Sequence, residues 1–504
     1  MLTLKNQSQH SDDYLTIALQ HHTRGELSEA KTIYDKILQN NPNDPIALHF
    51  KGVIAHQRKN NNEAEILIRK ALVINPNYAE AQNNLGVVLK DLNKLDEAMS
   101  CYQKAVSIKP DYASGYYNIG VLLKKLGRLD EAVVSYRKAL VYNPGNADVH
   151  YNLGNTLTEL GEFEEAIISF RKTVEINPHH AKGYNHLGNV IKINGKPSEA
   201  VSYYQKAIAL KPNYAEAHSN LGATYKELRC LNEAELCYRK AIDINPTFTE
   251  ALGSLGIILQ GLGRLSEAIS FFRRALDIES NAPKFRHRLD ALLGNTTDFA
   301  PRKYVEDIFD SYANKFDAHL IKELKYKVPL LLKKSLQDLG LAENKFKNVI
   351  DLGCGTGLAG IEFRDIAETL TGIDLSQKML GKAKAKNIYD KLYVDDIIDR
   401  LNSLNCKFDL FISSDVFVYI GNLLPLFQCV RKYSTKNSHF VFSTELSDQD
   451  GFSLQNTARY CHSKKYIVST AKNLGFHIKY FKEINLRYEK DGWVNGGIYV
   501  LTND

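Results

Sequence analysis

The chain has 504 residues, too many for one ordinary core, so two or more domains are expected. Hydrophobic residues make up 44% and charged residues 24%, which excludes a disordered chain; a net charge of +6 is too small at this length to point to nucleic acid. The seven cysteines (101, 230, 237, 354, 406, 429 and 461) are odd in number and scattered, which predicts free thiols in a reducing compartment. Cys230 and Cys237 have no Cys or His neighbours at metal-ligand spacing, so no metal is expected. The start, "MLTLKNQSQHSDDY", lacks the apolar core of a signal peptide, and no run approaches the roughly 20 apolar residues that span a bilayer. A cytoplasmic location is expected.

After a leader (residues 1–10) the chain keeps a fixed beat. Prolines fall at 42, 76, 110, 144, 178, 212 and 246, each 34 residues after the last. Apolar-glycine pairs keep step (Leu85-Gly86, Ile119-Gly120, Leu153-Gly154, Leu187-Gly188, Leu221-Gly222, Leu255-Gly256), as does an alanine row from Ala30 to Ala268. The small residues suit places where two helices of a pair approach closely. An aromatic row (Tyr34, Tyr102, Tyr136, Phe170, Tyr204, Tyr238, Phe272) is expected to fill space between neighbouring pairs. Proline ends each second helix because it cannot donate the bond that would extend it. Glycine or asparagine supplies the turn between helices, with Lys59 and Arg229 as departures.

This period resembles the tetratricopeptide repeat, a helix–turn–helix unit. About eight such pairs run over residues 11–282, followed by a capping helix and linker over 283–299. The resemblance implies an all-α superhelix whose first helices line a concave face that binds protein or peptide. Before the apolar-glycine pairs stand Asn84, Asn118, Asn152 and Asn220, with His186 and Ser254 at the same position. By resemblance to the long repeat arrays of certain glycosyltransferases, this row is an asparagine ladder for an extended peptide backbone. The other reading is that it joins neighbouring repeats. Lys90, Lys124, Lys192 and Lys226 form a basic row six residues further on, suited to an acidic ligand or simply solvated.

From residue 300 strands and helices alternate, predicting a mostly parallel sheet covered on both faces. The strand "KNVIDL" leads into Gly353, Gly355 and Gly357 and then a helix. The spacing is G-x-G-x-G, with Leu358 where a dinucleotide fingerprint has glycine, and no Lys-Ser or Lys-Thr follows as in a phosphate loop. Asp351 is poor company for a pyrophosphate but suits an ammonium group. Asp374, ending the next strand, can accept both ribose hydroxyl protons. A ligand with a ribose, an amino group and no phosphates is expected, and S-adenosylmethionine fits.

"VIDLGCGTG", "GIDLS" and "YVDDI" resemble successive motifs of the class I methyltransferase family. The resemblance implies a Rossmann-like α/β domain over 300–504, with Asp396 at the adenine amino group and the Ile397 backbone beside it. Residues 300–332 look like the lead-in of bacterial fusions of these repeats with a methyltransferase, in which Tyr312, Phe316 and Asp317 close over the cofactor. "TKNSHF" departs from the family's usual Pro-Gly-Gly loop.

If the acceptor must lose a proton, Asp415, Tyr419 and His462 are the candidates. His462 is the one whose ordinary pKa, about 6.5, suits a base at neutral pH. Each also has a structural reading, as a turn cap, packing or a helix cap, and Arg459 with Glu489 could be an ion pair. The leading expectation is a methyltransferase whose array recruits a protein substrate. Methylation of a small molecule or glycan precursor, and a scaffold with a weakly active domain, stay open.

Overall fold

Each second helix of the array stops two residues before a proline of the 34-residue series: Asn61–Ile74 before Pro76, Leu95–Ile108 before Pro110, Leu129–Tyr142 before Pro144. The computed structural model describes residues 14–343, 345–489 and 492–503; the leader lies outside these. By its contacts the chain divides into two compact units after Pro246.

The first unit is a run of helix pairs. The glycine and aromatic rows turn out to be partners. A Cβ on Gly86 would come to 2.5 Å from the Tyr102 ring, on Gly120 to 2.6 Å from Tyr136, and on Gly188 to 2.9 Å from Tyr204. Each ring thus seals its own pair against the missing side chain, rather than serving only the gap between pairs. The rings are fully buried. Lys59, Asn93 and Arg229 hold the left-handed turn that Gly127, Gly161 and Gly195 hold elsewhere, with φ of 60 to 63°. That conformation costs a side-chain-bearing residue about 1 kcal/mol.

The second unit opens with helices Thr249–Gly261, Leu265–Ile278 and Pro283–Leu293, then Arg302–Tyr312, Phe316–Ala318 with a π-helical turn to Glu323, and Val328–Asp338. Its sheet has strands β1 (Phe346–Leu352), β2 (Ala367–Asp374), β3 (Lys391–Val394), β4 (Phe408–Ser413) and β5 (Ser434–Glu445). A short antiparallel pair follows, β6 (Phe452–Leu454) and β7 (Tyr460–His462), and then β8 (His477–Glu489) and β9 (Gly492–Asn503). The order is β3-β2-β1-β4-β5-β9-β8, parallel from β3 to β5, with β9 antiparallel to both neighbours. The apolar ends of β1 and β4 are fully buried, as expected of strands covered on both faces. Because β1 pairs with both β2 and β4, the chain leaves β1 where the strand order reverses, and ligands of such sheets bind there. No helix of the described residues is long and apolar enough to cross a membrane.

Candidate functional site

Beyond β1 the backbone turns through three left-handed glycines, Gly353 (φ 75°), Gly355 (φ 54°) and Gly357 (φ 90°). The amides of Gly353 and Cys354 both donate to the Ile373 carbonyl at 2.9 Å, which sews the loop to the end of β2. Asp374 continues the seam: Oδ2 accepts from the Gly355 amide at 2.9 Å and Oδ1 from the Ser376 amide at 2.8 Å. A Cβ on Gly353 would lie 2.4 Å from Val416, whereas at Gly355 the nearest atom, on the Phe316 ring, is 3.9 Å away. The loop is therefore packed underneath and open above Gly355.

Asp351 is fully buried. Its Oδ2 accepts the Tyr389 hydroxyl at 2.6 Å, and its Oδ1 is buried without a partner. Burial pushes its carboxyl up to about 7, against the pull of the Tyr389 bond and with a push from Asp374. Burial likewise raises Asp374 to about 6, against its two backbone bonds. An orphaned buried carboxylate oxygen is costly unless a donor arrives. It fits the amino group of S-adenosylmethionine.

The helical lead-in lies against this loop. Thr356 donates its hydroxyl to Asp317, which also takes Lys386 Nζ at 2.7 Å. Ser376 donates to Asp310. Tyr312 bonds His319 and meets the Phe316 ring edge-on at 5.4 Å. Asp396 caps the helix Ile397–Ser403, accepting from the amides of Ile398 at 2.9 Å and Asp399 at 3.2 Å, with Arg302 3.3 Å away.

Past β4 lies a second group. Asp415 has φ of 61°; its amide donates to Ser443 Oγ at 2.9 Å, and its Oδ2 accepts from Arg487 at 2.7 Å. Tyr419 meets Phe309 edge-on at 5.4 Å, and burial raises its hydroxyl pKa. His462 is fully buried. Its Nε2 donates to the carbonyls of Ile420 at 2.9 Å and Gly421 at 3.0 Å, while Nδ1 has no partner. Burial lowers its pKa to about 4, against those two bonds, so any work as a base rests on Nδ1 alone. Arg487, Glu445 and Tyr389 were not candidates from the sequence. A register shift between Asn485 and Arg487 breaks the alternation that would have exposed Arg487 as inward-facing.

In the array the asparagines reach back one repeat. Asn118 Nδ2 donates to Asn83 Oδ1 at 2.8 Å and Asn220 Nδ2 to Asn185 Oδ1 at 3.1 Å. Asn152 Nδ2 donates to the Tyr117 hydroxyl at 3.1 Å, and Asn84 Nδ2 bonds His49 Nε2 at 2.8 Å. His186 instead meets Tyr151 edge-on at 5.3 Å. Lys124 pairs with Glu159 of the following repeat at 2.8 Å, and Lys192 feels Glu227 in the same relation, so the basic row is in part neutralised within the array.

Comparison with known proteins supplies the family. A methyltransferase-domain model matches residues 324–488. Tetratricopeptide-repeat models match residues 15–79, 88–127, 122–161, 147–180, 192–228, 215–248 and 237–270. Among curated proteins none matches the chain. Among solved structures, YrrB, described as a TPR protein with an unusual peptide-binding site, is 29% identical over 37% of this chain and 95% of its own, with a TM-score of 0.34. MamA is 33% identical over 32% of this chain and 95% of its own, with a TM-score of 0.31. A thermophilic TPR protein from Thermus thermophilus is 26% identical over 36% of this chain and 98% of its own, with a TM-score of 0.30. The chain is a tetratricopeptide-repeat protein fused to a methyltransferase domain.

Proposed function

We propose that the chain is an S-adenosylmethionine-dependent methyltransferase, cytoplasmic, whose repeats recruit a protein substrate along their concave face. The observation that carries the donor is the buried, partnerless Oδ1 of Asp351 beside an open glycine loop. Asp351 takes the amino group, the backbone from Gly353 to Gly357 follows the methionine part, and Asp374 accepts from the ribose. Asp396 and the Ile397 backbone take the adenine, with Tyr312 closing over. In this reading residues 300–504 form the catalytic domain and 283–299 the link to the repeats.

When bound, the cofactor supplies an electrophilic methyl group on a positively charged sulfur. The protein's part is to hold the acceptor in line with it and to exclude water. Asp415 flanks the acceptor side with Tyr419 and His462 and takes its proton where one must leave; burial keeps the Tyr419 hydroxyl protonated and leaves His462 a weak base. Asn84, Asn118, Asn152 and Asn220 contact the partner's backbone through Oδ1 and, at Asn84, Asn118 and Asn220, through the second Nδ2 hydrogen, the first being used within the array.

The test uses the full-length chain, S-adenosylmethionine labelled in its methyl group, and extract of the source cells. Label in the protein fraction is the expected result. Label confined to small molecules would overturn protein as the substrate. Absence of S-adenosylhomocysteine binding by calorimetry would overturn the cofactor.

A further inference from the structure

Asp415 is held by an arginine committed on every side. Arg487 is 3% exposed and uses all three guanidinium nitrogens. Nη1 donates to Asp415 Oδ2 at 2.7 Å, Nε to Glu489 Oε1 at 2.7 Å, and Nη2 to Glu445 Oε1. Glu489 uses its other oxygen to accept from Arg459 Nη2 at 2.8 Å, and Arg459 Nε lies 3.5 Å from Glu445. Two guanidiniums therefore bind three carboxylates. Burial alone would raise Glu489, but its bonds to Arg459 and Arg487 bring it down to about 2. The uncompensated acceptor is Asp415 Oδ1, buried without a partner. A network built for stability alone gains little from a buried carboxylate oxygen left without a donor.

The same network reaches the end of the repeats, within the second compact unit. Ala458, next to Arg459, has φ of 62°. Its carbonyl accepts from Nε2 of His287 at 3.1 Å, and His287 sits on the helix Pro283–Leu293, 2% exposed, its ring 4.8 Å from Tyr304. Gln260, on the helix Thr249–Gly261, donates to the Asn456 carbonyl and accepts from Arg288 at 3.0 Å. The segment that carries Arg459 is thus braced by the final helices of the array.

We propose that Arg487 is a positioning residue for methyl transfer, fixing one oxygen of Asp415 so that the other meets the acceptor. Arg459 completes the hold, and His287 sets Arg459 from the repeat side. The inference rests on the reading above that Asp415 faces the acceptor. It gives the junction with the repeats a role in the reaction beyond tethering.

The test uses the full-length chain, methyl-labelled S-adenosylmethionine and source-cell extract, with S-adenosylhomocysteine affinity measured on every variant. Arg487→Lys and Arg459→Gln are each expected to slow label transfer about tenfold to a hundredfold, with affinity for S-adenosylhomocysteine changed by no more than about twofold. His287→Phe keeps the ring packing, loses the donor, and slows transfer about threefold to tenfold. Asp415→Asn slows transfer as well, and adding Arg459→Gln or His287→Phe to it costs nothing further, because both act through that carboxylate. Wild-type rates in Arg459→Gln and His287→Phe, or losses that multiply with Asp415→Asn as separate structural damage would, overturn the proposal. Should Arg487→Lys fail to fold, those two variants decide the matter. A wild-type chain that binds S-adenosylhomocysteine yet transfers no label removes the acceptor-side reading and this inference with it; one that binds none removes the donor reading itself.

Discussion

Tyr389 donates its hydroxyl to Asp351 Oδ2 at 2.6 Å, and the other oxygen of that carboxylate is buried with no donor. The pair sets up a proton linkage. Burial holds the folded carboxyl at about 7, against an ordinary unfolded value of about 3.9. Between those values the folded chain keeps a proton that the unfolded chain has released. The group's contribution to stability therefore falls as pH rises from about 4 to about 7. An ammonium group at Oδ1 favours the ionised form, so binding below pH 7 must expel the proton. S-adenosylhomocysteine is expected to bind at least about tenfold more weakly at about pH 6 than at about pH 7.5, releasing about one proton from Asp351 at the lower pH, to which Asp374, held at about 6, adds. Calorimetry in two buffers of different ionisation enthalpy reads that proton directly. Equal heats in both buffers at pH 6 would give Asp351 some other role.

Two glycines of the loop separate packing from ligand access. At Gly353 a methyl group meets φ of 75° and Val416 at 2.4 Å, so Gly353→Ala suffers backbone strain and overpacking together. A loss of about 2–4 kcal/mol is expected, with cofactor binding abolished. At Gly355 the nearest atom is 3.9 Å away, and the cost is mainly the backbone's, about 1 kcal/mol. Gly355→Ala should fold, yet bind S-adenosylhomocysteine at least about tenfold more weakly, because the methyl group enters the open side of the loop. Denaturant unfolding and calorimetry on the pair test this. Wild-type affinity in Gly355→Ala would show that the ligand does not approach there.

The repeats were legible because their physics is local and periodic. A proline every 34 residues ends a helix, and a glycine row must face something large. What that something is was misread, since Tyr102 is sixteen residues from Gly86 and only the fold shows that it fills the glycine's own pair. The glycine loop and its two acids were legible for the same reason: they lie on one strand–turn–helix and the next strand. The group past β4 was not. Arg487 follows a bulge, β6 and β7 have three residues each, and Asp415 meets Arg487 from 72 residues away. Nor does sequence register burial, which turns His462 from a residue of ordinary pKa into one held at about 4. The 34-residue period also runs on past Pro246, where the contacts divide, because periodicity does not report which neighbours a helix packs on.

The asparagine row gives the last prediction. Asn118 Nδ2 donates to Asn83 Oδ1 at 2.8 Å, and Asn83 is buried at 5% exposure. Removing Asn118's amide strands that oxygen, so Asn118→Ala should lower stability by about 1–3 kcal/mol. Repeats contact mainly their neighbours, so the damage should stay local, speeding amide exchange in helices Ala79–Asp91 and Ala113–Lys125 before others. Asn83→Ala strands a half-buried donor that water can reach and removes the long 3.5 Å bond from Asn83 Nδ2 to Asn84 Oδ1. The double variant should then lose less than the two single losses combined, by at least about 0.5 kcal/mol. Strict additivity would mean that the bond does not couple the repeats, and would leave the row's Nδ2 groups, as well as its oxygens, for a bound peptide.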